Sequence, residues 1–303
     1  MVEHCLYGVK VFCDLPLFER PVLLSAVAPG EHEALELRPL GDCRAPAYYP
    51  VSLNLYSTHG RDVLLRTDRE LAASAPGQPW CLEVEGVVSF IWSGSAPEIL
   101  YQLHENGTWS LLVFWFVHMF LPLQLTLERG WDFIHAAAVE VDDQPILFIG
   151  PSTGGKSTLG DYFLKKGHPM LSDDKVATFF EDEKFYAVPS HPHHRPFREF
   201  EVLGYPVEPF ARQARPIHAF YVLEPAAPDA AIAIAEITGF RKFEQLLPNY
   251  LYSFHFLREQ RMRWLAQLAH QSLVFRLSRP WNIQRMDEVY AAVCTHSRAL
   301  PKN

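Results

Sequence analysis

The chain has 303 residues, of which 49% are hydrophobic and 13% aromatic, and its formal net charge is −8. This length allows one large domain or two of ordinary size, with a substantial core. The negative charge disfavours a non-specific binder of nucleic acid or of an anionic membrane.

The cysteines are odd in number and dispersed, and no pair has C-x-x-C spacing. This pattern is typical of reduced thiols that fill the core of a cytoplasmic protein, and it argues against a zinc site. The first residues show no basic segment followed by an apolar run, so we expect no secretory signal. The five are Cys5, Cys13, Cys43, Cys81 and Cys294.

Residues 1–127 read as a β-rich accessory or substrate domain that ends in a buried helix. Short strands separated by proline and glycine are predicted at 7–12, 63–66, 80–85 and 87–92. The last two flank Gly86 and form either one bulged strand or a tight hairpin. No reactive constellation is recognisable in this part of the chain.

Residues 109–127 are apolar on nearly every face, which predicts a helix buried on several sides. The most apolar window, 111–125, contains His118 and Pro122. We expect it to be too short to span a bilayer.

A β-hairpin is predicted over residues 131–149, with arms at 133–141 and 145–149 and the acidic pair Asp142-Asp143 in its turn. Counting back along this ladder places His135 opposite Pro151 or Ser152, beside the loop that follows.

That loop fits the pattern G-x-x-x-x-G-K-[ST], between a buried strand at 145–149 and a helix at 157–166. Backbone N–H groups and the helix N-terminus would converge on nucleotide phosphates. Lys156 would reach the β- and γ-phosphates, and the Ser157 hydroxyl would bind Mg²⁺. The candidate nucleotide-binding residues are Gly150, Ser152, Thr153, Gly154, Gly155, Lys156, Ser157 and Thr158.

A short strand at 170–172 follows, and Asp173-Asp174 comes directly after it. A right-handed β–α–β crossover brings the carboxyl ends of both strands to one sheet edge, which places the acidic pair next to the phosphate loop. One carboxylate can then hold the Mg²⁺ shell while the other accepts a proton from an attacking hydroxyl.

The segment 189–198 is rich in proline, histidine and arginine. Interleaved prolines favour a loop over a metal site for His191, His193 and His194. Arg195 and Arg198 are candidates for a phosphate clamp, because a planar guanidinium can hold a transferring phosphoryl group. Solvated loop arginines are the alternative.

The remaining chain predicts strands at 217–223 and 231–237 around a turn, and a mostly helical segment at 243–270 interrupted near Pro248. A last strand at 273–277 and a helix at 282–294 close the chain. Three arginines in the helical segment form either a charged helix face or a groove for an acidic peptide: Arg258, Arg261 and Arg263.

The motifs His135-Ala-Ala-Ala-Val139, the phosphate loop, Gly167-His168 and Leu171-Ser-Asp-Asp174 occur in this order at short spacing. Together they resemble the HPr serine kinase/phosphorylase superfamily, whose catalytic fold is similar to that of phosphoenolpyruvate carboxykinase. The resemblance covers residues 130–176 and, more weakly, the last strand and helix. It implies an α/β fold in which residues 128–303 form a P-loop catalytic domain with a mixed sheet, preceded by the β-rich domain.

By this resemblance, Lys156 and Ser157 bind nucleotide and metal, Asp173 is the base, Asp174 lies on the metal side, and His135 tunes the pair or orients phosphate. A hydrogen-bonded strand histidine is the alternative role for His135. The glycine-rich second signature of true HPr kinase/phosphorylases is absent after the acidic pair, which disfavours HPr as the substrate and phosphorolysis as a second activity.

The leading expectation is a cytoplasmic, Mg²⁺- and ATP-dependent kinase that phosphorylates a serine-type hydroxyl of a peptide or small protein. The start of the chain, with Tyr7-Gly-Val-Lys-Val11 and Asp14-Leu-Pro-Leu17, also resembles HPr-kinase-like proteins encoded with lasso-peptide precursors, which implies a precursor peptide as substrate. Two alternatives are a kinase for free serine or another metabolite, and a nucleotide-dependent regulatory module without transfer. Family members often assemble, so a homo-oligomer is a further expectation.

Overall fold

The structure, a computed structural model, describes residues 1–19, 34–41, 49–58, 60–71, 76–195 and 199–302. The chain divides into two compact units. The N-terminal unit comprises residues 1–130 together with 200–202 and 255–257, and the C-terminal unit comprises the rest of the chain.

The N-terminal unit contains an eight-stranded sheet in the order β1-β2-β3-β8-β7-β6-β5-β4. Strand β3 pairs in parallel with β2 and β8, and the other neighbours are antiparallel. The strands are β1 (Val2–Leu6), β2 (Val9–Cys13), β3 (Leu35–Pro39), β4 (Val51–Thr58), β5 (Arg61–Thr67), β6 (Trp80–Val84), β7 (Val88–Trp92) and β8 (Glu98–Leu103).

Two predicted strand segments in this unit can be compared directly with the sheet. The strand predicted at 7–12 is wrong at its start, because Tyr7 and Gly8 have φ values of 49° and 70° and form the two-residue turn between β1 and β2. Positive φ at both central residues is what such a hairpin turn requires. At Gly86 the structure has the tight hairpin, in which Val84 faces Val88.

The predicted apolar helix is a continuous helical run, with α1 (Trp109–Trp115) and α2 (Leu121–Arg129) joined by a π-helical turn over Phe116–Phe120. Thr108 caps its start by accepting the N–H of Leu111, and Gly130 ends it in the left-handed conformation. The run is 21 residues long and apolar enough to cross a membrane by length and composition, so the expectation of a too-short segment was wrong. However, 83% of its most apolar window is buried inside the protein, which is typical of a core helix.

The C-terminal unit is organised around a six-stranded mixed sheet in the order β12-β10-β11-β18-β20-β19. Strand β18 is parallel to β11 and to β20, so these three strands end at the same sheet edge. The strands are β10 (Ala137–Val141), β11 (Gln144–Ile149), β12 (Met170–Ser172), β18 (Ala219–Ala226), β19 (Ala233–Glu236) and β20 (Val274–Pro280).

Side chains of β11 alternate between two cores, as expected for a strand buried on both faces. Ile146 and Phe148 pack with Leu159, Phe163 and helical residues near the C-terminus. Leu147 and Ile149 pack on the opposite face with residues of another helix. The helices of this unit are α3 (Lys156–Lys165), α4 (Phe240–Leu246), α5 (Arg258–Gln271) and α6 (Met286–Ala299), with 3₁₀ turns at Leu247–Asn249 and Ile283–Arg285.

A second, four-stranded sheet of this unit has the order β17-β14-β13-β9. It contains β9 (Asp132–His135), β13 (Lys175–Glu181), β14 (Lys184–Val188) and β17 (Arg215–Pro216), while β15 (His193–His194) and β16 (Tyr205–Pro206) form a separate pair.

The predicted hairpin arm 133–141 is therefore divided between two sheets. Its second half pairs with β11, with Val141 opposite Gln144, whereas His135 pairs with Lys175 in the other sheet. The register that placed His135 opposite Pro151 or Ser152 was wrong. The reason is Ala136, whose N–H donates to the carbonyl of Asp174 at 3.2 Å instead of continuing the first ladder.

The other predicted elements of this unit lie within a few residues of the observed ones. The segments at 217–223 and 231–237 are strands, and β20 lies between them in the sheet. In the turn after β10, Asp142 and Asp143 have φ values of 51° and 63°, as their prediction as turn residues requires.

Candidate functional site

The phosphate loop, residues 150–158, connects the end of β11 to α3 with a backbone that needs glycine. Gly150 has a φ of 146°, and Gly155 precedes the helix with a φ of 82°. Lys156 is only 3% exposed, and its Nζ donates to the carbonyls of Gly150 at 2.8 Å and Pro151 at 3.1 Å. The lysine charge is thus held directly over the carbonyl groups of its own loop.

Most of the remaining loop faces solvent. The side chains of Ser152, Thr153 and Thr158 are exposed, and Ser157 is half-buried at the first turn of α3. Ser157 is thus the second residue of the ten-residue helix α3, next to Lys156 at the helix N-terminus. An N-terminus of this kind favours anions, because its first N–H groups have no partner within the helix.

Two residues distant in the chain fix the loop, and the sequence did not single out either. The Gly150 N–H donates to the buried Asn249 Oδ1 at 3.2 Å. Arg279 Nη2 donates to the Gly154 carbonyl at 2.9 Å. The sequence did contain an indication for Arg279. It lies at the carboxyl end of β20, which runs parallel to β11, and the carboxyl ends of parallel strands lie at the same edge of a sheet.

The acidic pair follows β12 directly, as predicted, and lies between β12 and β13. Asp174 Oδ1 is 3.1 Å from His135 Nδ1, and both side chains are about one-fifth exposed. The β9–β13 register sets this contact, because it places His135 beside Lys175, the neighbour of Asp174. The structure therefore brings His135 and the acidic pair together, although not through the ladder that the sequence suggested.

Asp173 has two unequal oxygens. Its Oδ2 accepts the N–H of Arg195 at 2.8 Å and lies 3.1 Å from His194 Nδ1, whereas its buried Oδ1 has no hydrogen-bond partner. Burial acts to raise the pKa of Asp173, but the hydrogen bond and charge of His194 and the Arg195 N–H outweigh it, so the pKa lies below its ordinary value. The carboxylate is therefore ionised at neutral pH.

His194 connects Asp173 to the helix of the phosphate loop. Its side chain is 1% exposed, and its Nε2 lies 3.5 Å from Asp161 Oδ1 on α3. The same Asp161 oxygen accepts the Tyr205 hydroxyl at 2.8 Å. From the sequence, His194 was predicted to lie in a loop. It lies instead in β15, which pairs with β16 through a register that places His194 opposite Tyr205, and no local pattern predicts this pairing.

Two further residues of this segment differ in what they contribute to the site, His193 and Arg195. Burial lowers the pKa of His193 to about 4, so its imidazole is neutral at physiological pH. Arg195 contacts Asp173 through its backbone, and Arg198 lies outside the described residues. Within the described ranges, no group of three or more His, Cys, Asp or Glu side chains is arranged to hold a metal ion.

Comparisons with known proteins identify no family for this chain. No family model matches the chain, and no curated protein matches its sequence. Among solved structures, it is similar to the Hpr(Ser) kinase/phosphatase from Coxiella burnetii, with a TM-score of 0.36 and 12% identity over 55% of this chain and 89% of that chain. A likeness this weak assigns neither a family nor an activity.

Proposed function

We propose that this protein is an ATP-dependent phosphotransferase that moves a γ-phosphoryl group to a serine-type hydroxyl of a peptide or small protein. One observation carries the proposal. Asp173 is an ionised carboxylate whose Oδ2 accepts the Arg195 N–H and whose Oδ1 has no hydrogen-bond partner, and His194 lies 3.1 Å from it and 3.5 Å from Asp161 on the phosphate-loop helix.

The residues of the loop fit the phosphates of a nucleotide. Gly155 leaves the start of α3 without a side chain, and Lys156 brings a positive charge to the same point. A hydroxyl and a carboxylate oxygen are ligands that Mg²⁺ prefers, and Mg²⁺ takes few protein ligands because it keeps waters and substrate phosphates. Ser157 and Asp174 would hold it here without a preformed cage. When bound, ATP would supply the phosphoryl group, and Mg²⁺ would neutralise the negative charge that develops on it during transfer.

Asp173 is suited to accept the proton of the acceptor hydroxyl. A buried carboxylate oxygen without a donor is costly, and an incoming hydroxyl would supply the missing hydrogen bond to Oδ1. The hydroxyl oxygen takes the γ-phosphoryl group, its proton goes to Asp173, and ADP leaves. His194 and the Arg195 N–H keep the carboxylate oriented throughout, and His135 orients Asp174 in the same way.

A peptide acceptor is supported by the sequence. The start of the chain resembles kinases encoded with peptide precursors, and the second signature of HPr kinases is missing. A ribosomally made precursor peptide is therefore the proposed substrate class. Lys156 and Asp173 would act identically on a small hydroxy compound, so the acceptor has to be identified by experiment.

The test incubates the full chain with γ-labelled ATP, Mg²⁺ and two panels of acceptors, one of serine-containing peptides and one of free serine and other hydroxy metabolites. We expect label in the peptides. Asp173→Asn should lower transfer by about 100-fold or more, the usual range for loss of a general base, while the Kd for ATP changes less than about twofold. Asp182→Asn is the matched control, because Asp182 is an exposed turn residue with a φ of 46° that asparagine tolerates.

The outcomes separate the alternatives. Label confined to the metabolite panel would replace the peptide kinase by a small-molecule kinase. Tight ATP binding with no transfer to any acceptor would indicate a nucleotide-dependent regulatory module. Unchanged transfer by Asp173→Asn would disprove the assigned base, and failure to bind Mg²⁺-ATP would disprove the phosphotransferase itself.

A further inference from the structure

Arg279 carries a buried charge for which the described part of the chain provides no carboxylate partner. Its side chain is 4% exposed at the end of β20, its Nη2 contacts the Gly154 carbonyl, and its buried Nε has no hydrogen-bond partner. No carboxylate among the described residues lies within ion-pair distance of its guanidinium, and burial alone lowers its pKa. An unpaired buried charge is costly, so its position against an anion-binding loop calls for an anionic partner.

Trp281 lies beside this arginine and against the same loop. The Arg279 guanidinium carbon is 5.1 Å from the centroid of the indole, which is 52% exposed. A Cβ added to Gly155 would meet the Arg279 guanidinium and would come within 3.5 Å of the Trp281 ring. The backbone N–H of Trp281 donates to the Ala226 carbonyl at 3.0 Å, so the backbone that carries the indole is hydrogen-bonded to β18.

A purely structural role explains only part of this arrangement. One N–H of Arg279 is enough to fix the Gly154 carbonyl, and a lysine or glutamine could supply it. That hydrogen bond does not account for a full positive charge buried without a counter-ion among the residues that the structure describes, nor for a large aromatic ring that stays exposed next to the phosphate loop. A nucleoside triphosphate has both features that this pair would bind, an anionic chain and an aromatic base.

We propose that Arg279 and Trp281 form the nucleotide-recognition wall of the phosphate loop, where the guanidinium contacts a phosphate and the indole stacks on the base. The inference rests on the proposed function and deepens it. Stacking uses the face that every base shares and does not read base edges, so the site should accept ATP and GTP with similar affinities.

The experiment measures the Kd of the full chain for Mg²⁺-ATP, Mg²⁺-GTP and Mg²⁺-tripolyphosphate by calorimetry. Tripolyphosphate has the anionic chain and no base. Trp281→Ala should weaken binding of ATP and GTP about tenfold and leave tripolyphosphate within about twofold, because base stacking is lost alone. Trp281→Phe should retain most of the affinity. Arg279→Gln should weaken all three ligands by about tenfold or more.

Matched controls come from the same unit. Arg276→Gln changes an exposed arginine on β20 that pairs with Glu224, and Phe240→Ala removes an aromatic side chain that is more exposed than Trp281. Both should leave all three Kd values unchanged. Thermal unfolding of each variant checks the fold, and Arg279→Lys serves if Arg279→Gln is unstable, since it keeps the charge but loses the planar fork.

Three results would overturn the inference: equal losses for ATP and tripolyphosphate in Trp281→Ala, unchanged affinities in folded Arg279 variants, or no binding of any of the three ligands by the unmodified chain. The proposed function fails separately. A chain that binds ATP with this dependence on Arg279 and Trp281, yet transfers phosphate to no acceptor, keeps the recognition wall and loses the kinase.

Discussion

The phosphate loop and the acidic edge, formed by Asp173, Asp174, His135 and His194, balance their charges in opposite ways. The loop holds its lysine charge with carbonyls from its own first two residues. The acidic edge holds its two carboxylates with imidazoles that come from β9 and β15. The loop is thus a local structure that its own sequence specifies, whereas the acidic edge exists only when several strands have assembled.

The largest effect is expected from a substitution in the phosphate loop, at Lys156. Lys156→Met keeps most of the side-chain length and burial but removes the charge and both hydrogen bonds to the loop. We expect the Kd for Mg²⁺-ATP to rise by about 100-fold or more, because charged hydrogen bonds to phosphate are lost. Calorimetry measures this, with Lys184→Met on the exposed end of β14 as the control. An unchanged Kd would contradict the role of the loop.

This contrast also explains what the sequence could predict. The loop, the strand before it, the helix after it and the placement of Asp173-Asp174 after a short strand depend on contiguous residues, and each is present in the structure. His194, Asn249 and Arg279 depend on contacts with Asp173, Gly150 and Gly154, which lie 21, 99 and 125 residues away, so contiguous residues do not encode them. The division of the predicted arm at Ala136 was missed for the same reason, since it depends on a hydrogen bond to Asp174.

A smaller effect is expected from a substitution of His194, the more buried of the two histidines at the acidic edge. His194→Gln removes the group that, with the Arg195 N–H, holds the pKa of Asp173 below its ordinary value against the opposing effect of burial. The pKa of Asp173 should therefore rise, and the acid limb of the pH–kcat profile should move to higher pH. We expect kcat to fall about tenfold at neutral pH, with the Kd for ATP nearly unchanged.

His270→Gln is the control for this variant, because His270 is exposed on α5. A merely structural His194 would lower the melting temperature and leave the shape of the pH profile as it was. That result would show that His194 does not position Asp173 for catalysis.

The smallest effect on activity is expected at Asp132, which anchors the strand that ends at His135. Burial raises the pKa of Asp132 to about 7, and the hydrogen bond from Tyr250, at 2.5 Å, opposes this only in part. Because the folded state retains a proton that the unfolded state releases near pH 4, the unfolding free energy should fall as pH rises from about 4 to about 7. The slope is on the order of 1 kcal/mol for each unit of pH.

Asp132→Asn should remove this contribution and leave phosphate transfer nearly unchanged. Denaturant unfolding at several pH values measures the difference between the two proteins. The comparison has to be made against the unmodified chain, because burial also raises the pKa of Glu140 to about 7 despite the opposing charge of Arg215. A parallel pH dependence in both proteins would show that Asp132 is not the group that titrates.

The single residue Ala136, where the chain passes from one sheet to the other, has a mechanical consequence. His135 belongs to the four-stranded sheet, while the strand that leads into the phosphate loop belongs to the six-stranded one. Any sliding of these two layers would change the separation between imidazole and lysine without altering either side chain. A bulkier residue at Ala136, which is fully buried, should therefore lower the rate of phosphate transfer although this position contacts no substrate.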